Sequence, residues 1–474
     1  MKKIANVFYI VICLSLCAIP FVGMTVAPTH TSTENREMAQ LPQWLEDGQW
    51  NQEYFQELGE YFNDHFAFRS QLVMADSLVQ SKLFGVSNMD TVIVGEEGWL
   101  YYSSTLNDYL GTNGMSQRAI FNAANNLSLM KRSVELKGSK FLLTIAPNKN
   151  SLYGENMPYY NEGKVSSEKN IEKLEQEIQN MQIPYADLYE VFSEQHEILY
   201  LKKDSHWNEK GAVLAYNTIL DELEHEHETY ETVDNIRTKT EYGDLNKMMY
   251  PLSFEPEWNY SYDKEEKYTY VTDTQSVEDP WIETMNEEGT GNMLMFRDSF
   301  GNTLLPYMAN AFSKAYFSKS VPYKLEEYMD EYSPDYVVVE KAERNIVDFA
   351  KEPPVMTGLI ADVDVPEQWA ETKTTVEFKS AEADADYWEV VGMVDADYIE
   401  ADNRIYVAMT SGETVTCYEA FTVTQDKADN GYQLYIPKKD VTADDIQLDI
   451  LVENDTVQKV ASVTIEGVSL LGIE

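Results

Sequence analysis

The chain has 474 residues, with 81 Asp and Glu against 36 Lys and Arg, a formal net charge of −45. A field of that sign repels phosphate backbones and anionic membrane surfaces, which argues against nucleic-acid binding. Hydrophobic residues make up 43% and charged ones 25%, the balance of a folded protein of two or three domains and not of a disordered polyanion.

Met1-Lys2-Lys3 precedes 23 residues, Ile4 to Val26, without a charged side chain. That length spans a bilayer as a helix, and the lysines favour a cytoplasmic N-terminus with the rest of the chain outside. A retained anchor is expected. Cleavage after Thr25-Val26-Ala27 stays open, although Pro28 follows, and a secreted protein would result. Leu16 before Cys17 does not fit a lipoprotein. Cys13 and Cys17 lie in the apolar run and Cys417 stands alone, so no disulfide framework is expected.

Residues 28 to 91 read as a polar juxtamembrane linker passing into a helix through Tyr61 and Phe66. From Val92-Ile93-Val94 onward, strand and helix signals alternate. Ile120, Phe121, Ala124, Leu127 and Val134 predict a helix from Ser116 to Lys137, stopped by Gly138. Phe141 to Ile145 predicts a buried strand. Ser166 or Ser167 is expected to cap the next helix, marked by Ile171, Leu174, Ile178 and Met181 and ended by Pro184. Tyr185 to Leu188 follows as a strand. Ile198 to Leu201 leads into Asp204-Ser205-His206-Trp207, and Asn208 caps a helix to Leu223. Met293 to Phe296 leads into Arg297-Asp298-Ser299-Phe300-Gly301 and a helix through Ala311. Lys324 to Glu331 and Tyr336 to Val339 close the series. Alternation of this kind implies parallel strands in a sheet covered on both faces, with a site at their carboxyl ends.

After residue 352 the helical signals stop. Alternating runs from Thr375 to Val452, separated by Gly, Asp and Asn clusters, predict an all-β sandwich over 353–474, with Pro353-Pro354 at the boundary. Between the two polar tetrads, Trp258, Tyr260, Tyr262, Tyr268, Tyr270 and Trp281 either line a glycan groove or pack as an ordinary hairpin.

The tetrads lie roughly ninety residues apart and supply a serine, a histidine and a carboxylate. A serine hydroxyl is a poor nucleophile until a base takes its proton and a third group orients that base. Ser299 at a helix start would expose its oxyanion to backbone N–H groups, and Asp204, two residues from His206, would fix the imidazole tautomer. Asp298 reads as a capping residue. His225 and His227, two apart, do not share a helical face as metal ligands would, and no phosphate loop or cofactor motif is present; neither metal nor cofactor is expected.

Asp204-Ser205-His206-Trp207 resembles the Asp-x-His-Trp signature of the alginate O-acetyltransferase group and the DHHW proteins, within the SGNH hydrolase superfamily. Arg297-Asp298-Ser299-Phe300 is similar to their nucleophile block. Looser matches are Phe62 to Arg69, Gly98 to Tyr102, Pro147-Asn148-Lys149 with Met157-Pro158, and Glu343-Arg344. Two departures stand out: Arg297 occupies a frequent glycine, and Ser205 replaces a histidine of the DHHW name. The resemblance implies an SGNH-like three-layer α/β/α domain over 92–352, with Asp204 and His206 preceding Ser299 in the permuted order. It implies Ser299, His206 and Asp204 as catalytic residues, with Asn148, Lys149 and Arg344 as oxyanion or substrate contacts. The implied activity is serine-dependent O-acetyl transfer to a cell-envelope or secreted polysaccharide, supplied by a membrane-bound O-acyltransferase partner. A carbohydrate esterase and a non-catalytic glycan-binding scaffold are the competing readings.

Overall fold

A computed structural model describes residues 2–24, 38–46, 49–230, 233–252, 255–369, 371–425 and 428–468. The Thr25-Val26-Ala27 exit and Pro28 fall outside the described residues. The first apolar run forms a helix, α1 (Lys2–Gly23), long and apolar enough to cross a membrane, a test that a signal sequence also meets.

The elements that position the site are the helices α2 (Gln117–Leu136), α3 (Asn170–Asn180), α4 (Glu209–Glu222), α5 (Asp244–Met249), α6 (Gly301–Ala311) and α7 (Leu325–Tyr332). The strands are β1 (Lys140–Ala146), β2 (Tyr185–Ala186), β3 (Thr269–Tyr270), β4 (Trp281–Met285), β5 (Asn292–Phe296), β6 (Lys314–Ser318) and β7 (Tyr336–Ala342). They form one sheet in the order β2-β1-β7-β5-β6-β4-β3. From β2 to β6 the pairing is parallel; β4 and β3 are antiparallel at one edge. The expectation of a purely parallel sheet is therefore corrected at that edge.

Because successive side chains on a strand face opposite ways, the sheet feeds two cores. Leu142, Met293, Met295, Phe317 and Val338 pack with α4 and α6. Their neighbours Phe141, Leu143, Leu294, Val337 and Val339 pack with α2, α3 and α7. Local signals set the helix ends. Ser116 Oγ accepts the Ala119 N–H at 3.0 Å, and Gly138 takes φ 86° just past α2. At α3 the expected serine cap is corrected: the cap position is Lys169, and Glu172 accepts the Lys169 N–H, while Ser166 accepts from Glu168. Past β2, Asp187 caps a short helix at Leu188, so the predicted strand ends two residues early. Val92–Val94 pairs with Leu100–Tyr102 in a hairpin separate from the main sheet.

Beyond residue 356 lie two antiparallel sheets of five and four strands, whose inward residues share one core that includes Val390, Leu434, Val407 and Ile450. The expected run 415–423 is split at Ala420: Thr414–Glu419 joins the first sheet and Phe421–Gln425 the second. These sheets are riveted to α2 by polar contacts. Arg118 Nη1 donates to Asn403 O at 2.5 Å, Asn122 Nδ2 to Asp429 O at 3.0 Å, and Asn126 exchanges hydrogen bonds with the Thr422 backbone. Buried amides that each find a partner favour one fixed docking of this module on α2.

Gly211 in α4 shows how tightly the first core closes. A Cβ there would lie 2.5 Å from Leu199 O and 2.9 Å from Trp207 Cβ. Gly→Ala inside a helix ordinarily stabilises by about 1 kcal/mol. Gly211→Ala is instead expected to destabilise by about 2 kcal/mol through overpacking, read as a lower urea midpoint; a raised midpoint contradicts this packing.

Candidate active site

The Asp204 segment is held in place by two buried groups of opposite character. Lys149 Nζ donates to the carbonyls of Leu201 and Lys202 at 3.1 Å and of Asp204 at 2.5 Å, and it lies 5.2 Å from the Tyr101 ring and 5.6 Å from the Trp99 ring. Glu257 accepts the backbone N–H groups of Lys202 and Lys203 at 2.8 and 3.0 Å. Carbonyls thus turn toward an ammonium and amides toward a carboxylate, which fixes a segment that has no sheet ladder to hold it. The expectation of a strand ending at this tetrad is corrected: Tyr200 and Trp207 make only an isolated bridge. Burial pulls the Lys149 pKa down to about 8, against the charges of Asp204, Asp244 and Glu257.

Asp204 Oδ1 accepts from the His206 backbone N–H at 2.9 Å and from His206 Nδ1 at 2.7 Å; its Oδ2 accepts the Asp244 N–H at 2.8 Å. His206 Nε2 lies 2.8 Å from Ser299 Oγ. These partners assign the imidazole proton to Nδ1 and leave Nε2 as acceptor for the serine hydroxyl. Phe300 packs against the ring, centroids 4.8 Å apart. Burial alone raises the Asp204 carboxyl, but the hydrogen bonds and charge of His206 outweigh it and bring the pKa to about 2. For His206 burial lowers the value, and the hydrogen bond and charge of Asp204 more than reverse it, so the pKa stands above 6.5.

Ser299 lies between β5 and α6, two residues before the helix begins. Asp298 shapes that turn. Its Oδ1 accepts the Phe300 N–H and its Oδ2 the Ala342 N–H, both at 2.9 Å, while its own N–H donates to buried Glu340 at 3.0 Å. Gly301 admits no side chain, since a Cβ would meet Arg297 Cβ at 2.7 Å. Arg297 is buried and donates to Asn302 Oδ1 and to the Val277 carbonyl at 2.8 Å. It thereby ties the turn to residues 277–279, whose Glu278 is held by Lys319 at 2.6 Å and by Asn302 at 2.7 Å.

A cavity of about 590 Å³ opens over these groups, lined by Asp204, Ser205, His206, Ser299 and Arg344 together with Thr91, Tyr102, Glu241, Tyr242, Asp244, Lys247, Met248 and Glu278. Arg344 Cζ lies 5.6 Å from the ring centres of both Tyr102 and Phe300. Asn148 and Lys149 do not line the cavity. Asn148 is buried, with its amide donating to Asp108 Oδ2 at 3.1 Å and its backbone N–H to Glu343 at 2.7 Å. Both residues bond to neighbouring segments of the fold, Asn148 to Asp108 and Glu343 and Lys149 to the carbonyls before His206. The aromatics of the 255–288 excursion are also elsewhere: Trp281 packs on Tyr316, Tyr328 and Tyr332, and Lys210 lies over the Tyr260 ring. Tyr102 and Tyr242 supply the cavity's tyrosines instead. Asp244 carried no legible signal, since an acid after Gly243 at a short helix reads as an ordinary first-turn residue. Asp204, His206 and Asp244 place ligand-type atoms within 4.8 Å of one another; the hydrogen bonds among them account for that closeness without a cation.

Residues 92–295 match the family model described as an SGNH hydrolase-like domain, acetyltransferase AlgX. The match contains Asp204 and His206 and ends four residues before Ser299. No curated protein matches the sequence. Among solved structures, Bacillus cereus PatB1 with a sulfonyl adduct is similar at 14% identity and a TM-score of 0.44, covering 55% of this chain and 96% of that one. A DHHW family protein from Eubacterium siraeum is similar at 14% and 0.40, covering 54% and 95%. Pseudomonas aeruginosa AlgX is similar at 14% and 0.36, covering 79% and 90%.

The Lys149 clamp makes a direct prediction. Lys149→Met leaves the Leu201 and Asp204 carbonyls without their donor and the Asp204 side without its counter-charge, while the Lys202 carbonyl keeps the Leu100 N–H, and is expected to cost about 3 kcal/mol. Urea unfolding followed by circular dichroism measures it; an unchanged midpoint contradicts the clamp.

Proposed function

We propose that this protein is a serine O-acyltransferase that passes an acetyl group to hydroxyls of a polysaccharide outside the cytoplasm. The observation that carries this reading is the continuous chain of hydrogen bonds from Asp204 through His206 to Ser299, opening into a polar cavity. In the first half-reaction His206 Nε2 takes the Ser299 proton as Oγ attacks the acyl carbon, and the imidazolium returns that proton to the leaving group. In the second, Nε2 takes the proton of a sugar hydroxyl as its oxygen attacks the acyl carbon, and the imidazolium gives that proton to Ser299 Oγ as the acyl–serine bond breaks. Asp204 holds Nδ1–H throughout. Arg344 is the candidate for the developing oxyanion or the acyl donor, since it shares the cavity with Ser299. Water in place of the sugar makes the same site an esterase.

The architecture assumed is a three-layer α/β/α domain over 92–352, a β-sandwich over 353–474 with no chemistry assigned to it, and α1 as an anchor followed by a juxtamembrane region to 91. An extracytoplasmic site needs an acetyl supply from the membrane, and a membrane-bound O-acyltransferase is the partner class that fits.

Two tests bear on this reading. Intact-mass spectrometry of the full-length chain in detergent micelles, after brief exposure to an activated acetyl ester, is expected to find one acetyl adduct that Ser299→Ala abolishes. Asp204→Asn should slow its formation by about 10⁴. Discharge faster with added polysaccharide than with water supports the transferase; discharge by water alone supports the esterase; no adduct contradicts both. The acylation rate should also fall as pH drops through the His206 pKa, with a midpoint above 6.5 because the folded site raises that value. A rate independent of pH from 5 to 8 contradicts a histidine base.

A further inference from the structure

The steps above leave one largely buried acid at the site unused. Asp244 begins α5, and its carboxylate reaches the histidine from the side opposite the serine. Its Oδ1 accepts the Ser205 N–H at 2.8 Å and its Oδ2 the Ser205 hydroxyl at 2.5 Å. That Oδ2 is 3.9 Å from His206 Nδ1, and Ser205 Oγ itself lies 3.2 Å from the same nitrogen. The Asp244 N–H meanwhile donates to Asp204 Oδ2 at 2.8 Å. The approach is close enough that only glycine fits before it, because a Cβ on Gly243 would fall 2.2 Å from Lys203 O.

Two carboxylates facing one imidazole repel each other, and a neutral amide at 244 could hold Ser205 without that cost, its oxygen accepting the Ser205 N–H and its NH2 donating to the Ser205 hydroxyl. The arrangement becomes useful when the imidazole is charged. We propose that Asp244 is a positioning residue that supplies a second counter-charge to His206, with Ser205 as the bridge, and so stabilises the imidazolium formed when Ser299 gives up its proton. This rests on the reading of His206 as general base. It also gives Ser205, which stands at the first histidine of the DHHW signature, a definite role.

The other charges around the ring do not serve that purpose. Asp204 already holds Nδ1. Glu278, across the cavity, is bound to Lys319 and Asn302. Lys149 is committed to three carbonyls beneath the segment. Lys247 and Glu241 line the same cavity, with no ion pair to either among the described residues, and Arg344 is a cation that opposes protonation of the ring. Burial and the charge of Asp204 raise the Asp244 pKa, so its ionisation adds to the pH response of the histidine beside it.

The test reads the histidine directly. Full-length protein in detergent micelles is treated with diethyl pyrocarbonate over a pH series, and carbethoxylation of His206 is followed by peptide mass spectrometry. Reaction requires the neutral ring, so the midpoint is the His206 pKa, whether or not the enzyme turns over. Asp244→Asn and, as an independent neutral variant, Asp244→Ser are expected to lower that midpoint by about one pH unit, a tenfold change in the protonation equilibrium. Asp244→Glu is expected to keep the wild-type midpoint. The plateau rate of Ser299 acylation should fall roughly tenfold in the neutral variants, with its acid limb moved to lower pH. Neutral variants that keep the wild-type melting temperature and an unshifted His206 midpoint overturn the proposal, whatever their rates, as does a glutamate variant that titrates like asparagine. Absence of any Ser299 adduct in the wild type would instead overturn the acyltransferase reading, and the His206 titration would still decide the role of Asp244.

Discussion

The site depends on holding residues 201–206 without a β-ladder. The segment lies between the strand-free run after β2 and the start of α4, and its backbone groups find partners off any ladder: Lys149 takes three carbonyls and Glu257 two amides, while the Leu100 and Asn246 N–H groups reach the Lys202 and Lys203 carbonyls and Asp244 accepts the Ser205 N–H. A buried ammonium with three carbonyl acceptors and a carboxylate with two amide donors are each satisfied groups, and satisfied polar networks rigidify what they touch. Asp204 and His206 inherit their position from that frame. Ser299 is fixed separately, by the tight turn of Asp298 and Gly301 against Glu340. The 2.8 Å approach of the two halves is the point where these frames meet.

This division explains the roles of residues that a motif reading leaves loose. Trp99 and Tyr101 come from the hairpin that precedes the sheet and pack around Lys149; the next residue, Tyr102, enters the cavity. Arg297, in place of a frequent glycine, reaches away from the serine to the 277–279 carbonyls and so sets where Glu278 stands. The strongly acidic chain nevertheless brings Arg344 and Lys247 into the cavity beside its carboxylates. A mixed rim of that kind suits a polar, hydroxyl-rich ligand that makes many hydrogen bonds.

What was legible in the sequence was local. Ser116 and Gly138 bracket α2 because capping acts through adjacent backbone groups, and Asn208 does the same for α4. Met293 to Phe296 and Tyr336 to Val339 read as buried strands because both faces of each meet a core. The strand Lys314–Ser318 leaves no mark in the sequence, since five residues beginning with lysine carry neither alternation nor a turn signal of their own. Ser299, His206 and Asp204 could be named as a set because each stands on a recognisable turn. Asn148 and Lys149 stand outside the cavity lining and bond to neighbouring parts of the fold, an orientation that a loop sequence does not show. Asp244 and Glu278 were invisible, as their positions arise from long-range packing of α5 and the 277–279 loop.

The central claim is that His206 activates Ser299 in the folded protein. Labelling with phenylmethylsulfonyl fluoride, mapped by peptide mass spectrometry on the full-length chain, tests it most directly, because the reagent reports an activated serine without needing the acyl donor or the acceptor. Sulfonylation is expected at one residue, Ser299, and is expected to be lost in His206→Ala. Labelling spread over several serines, or at Ser299 with equal rate in His206→Ala, would contradict it.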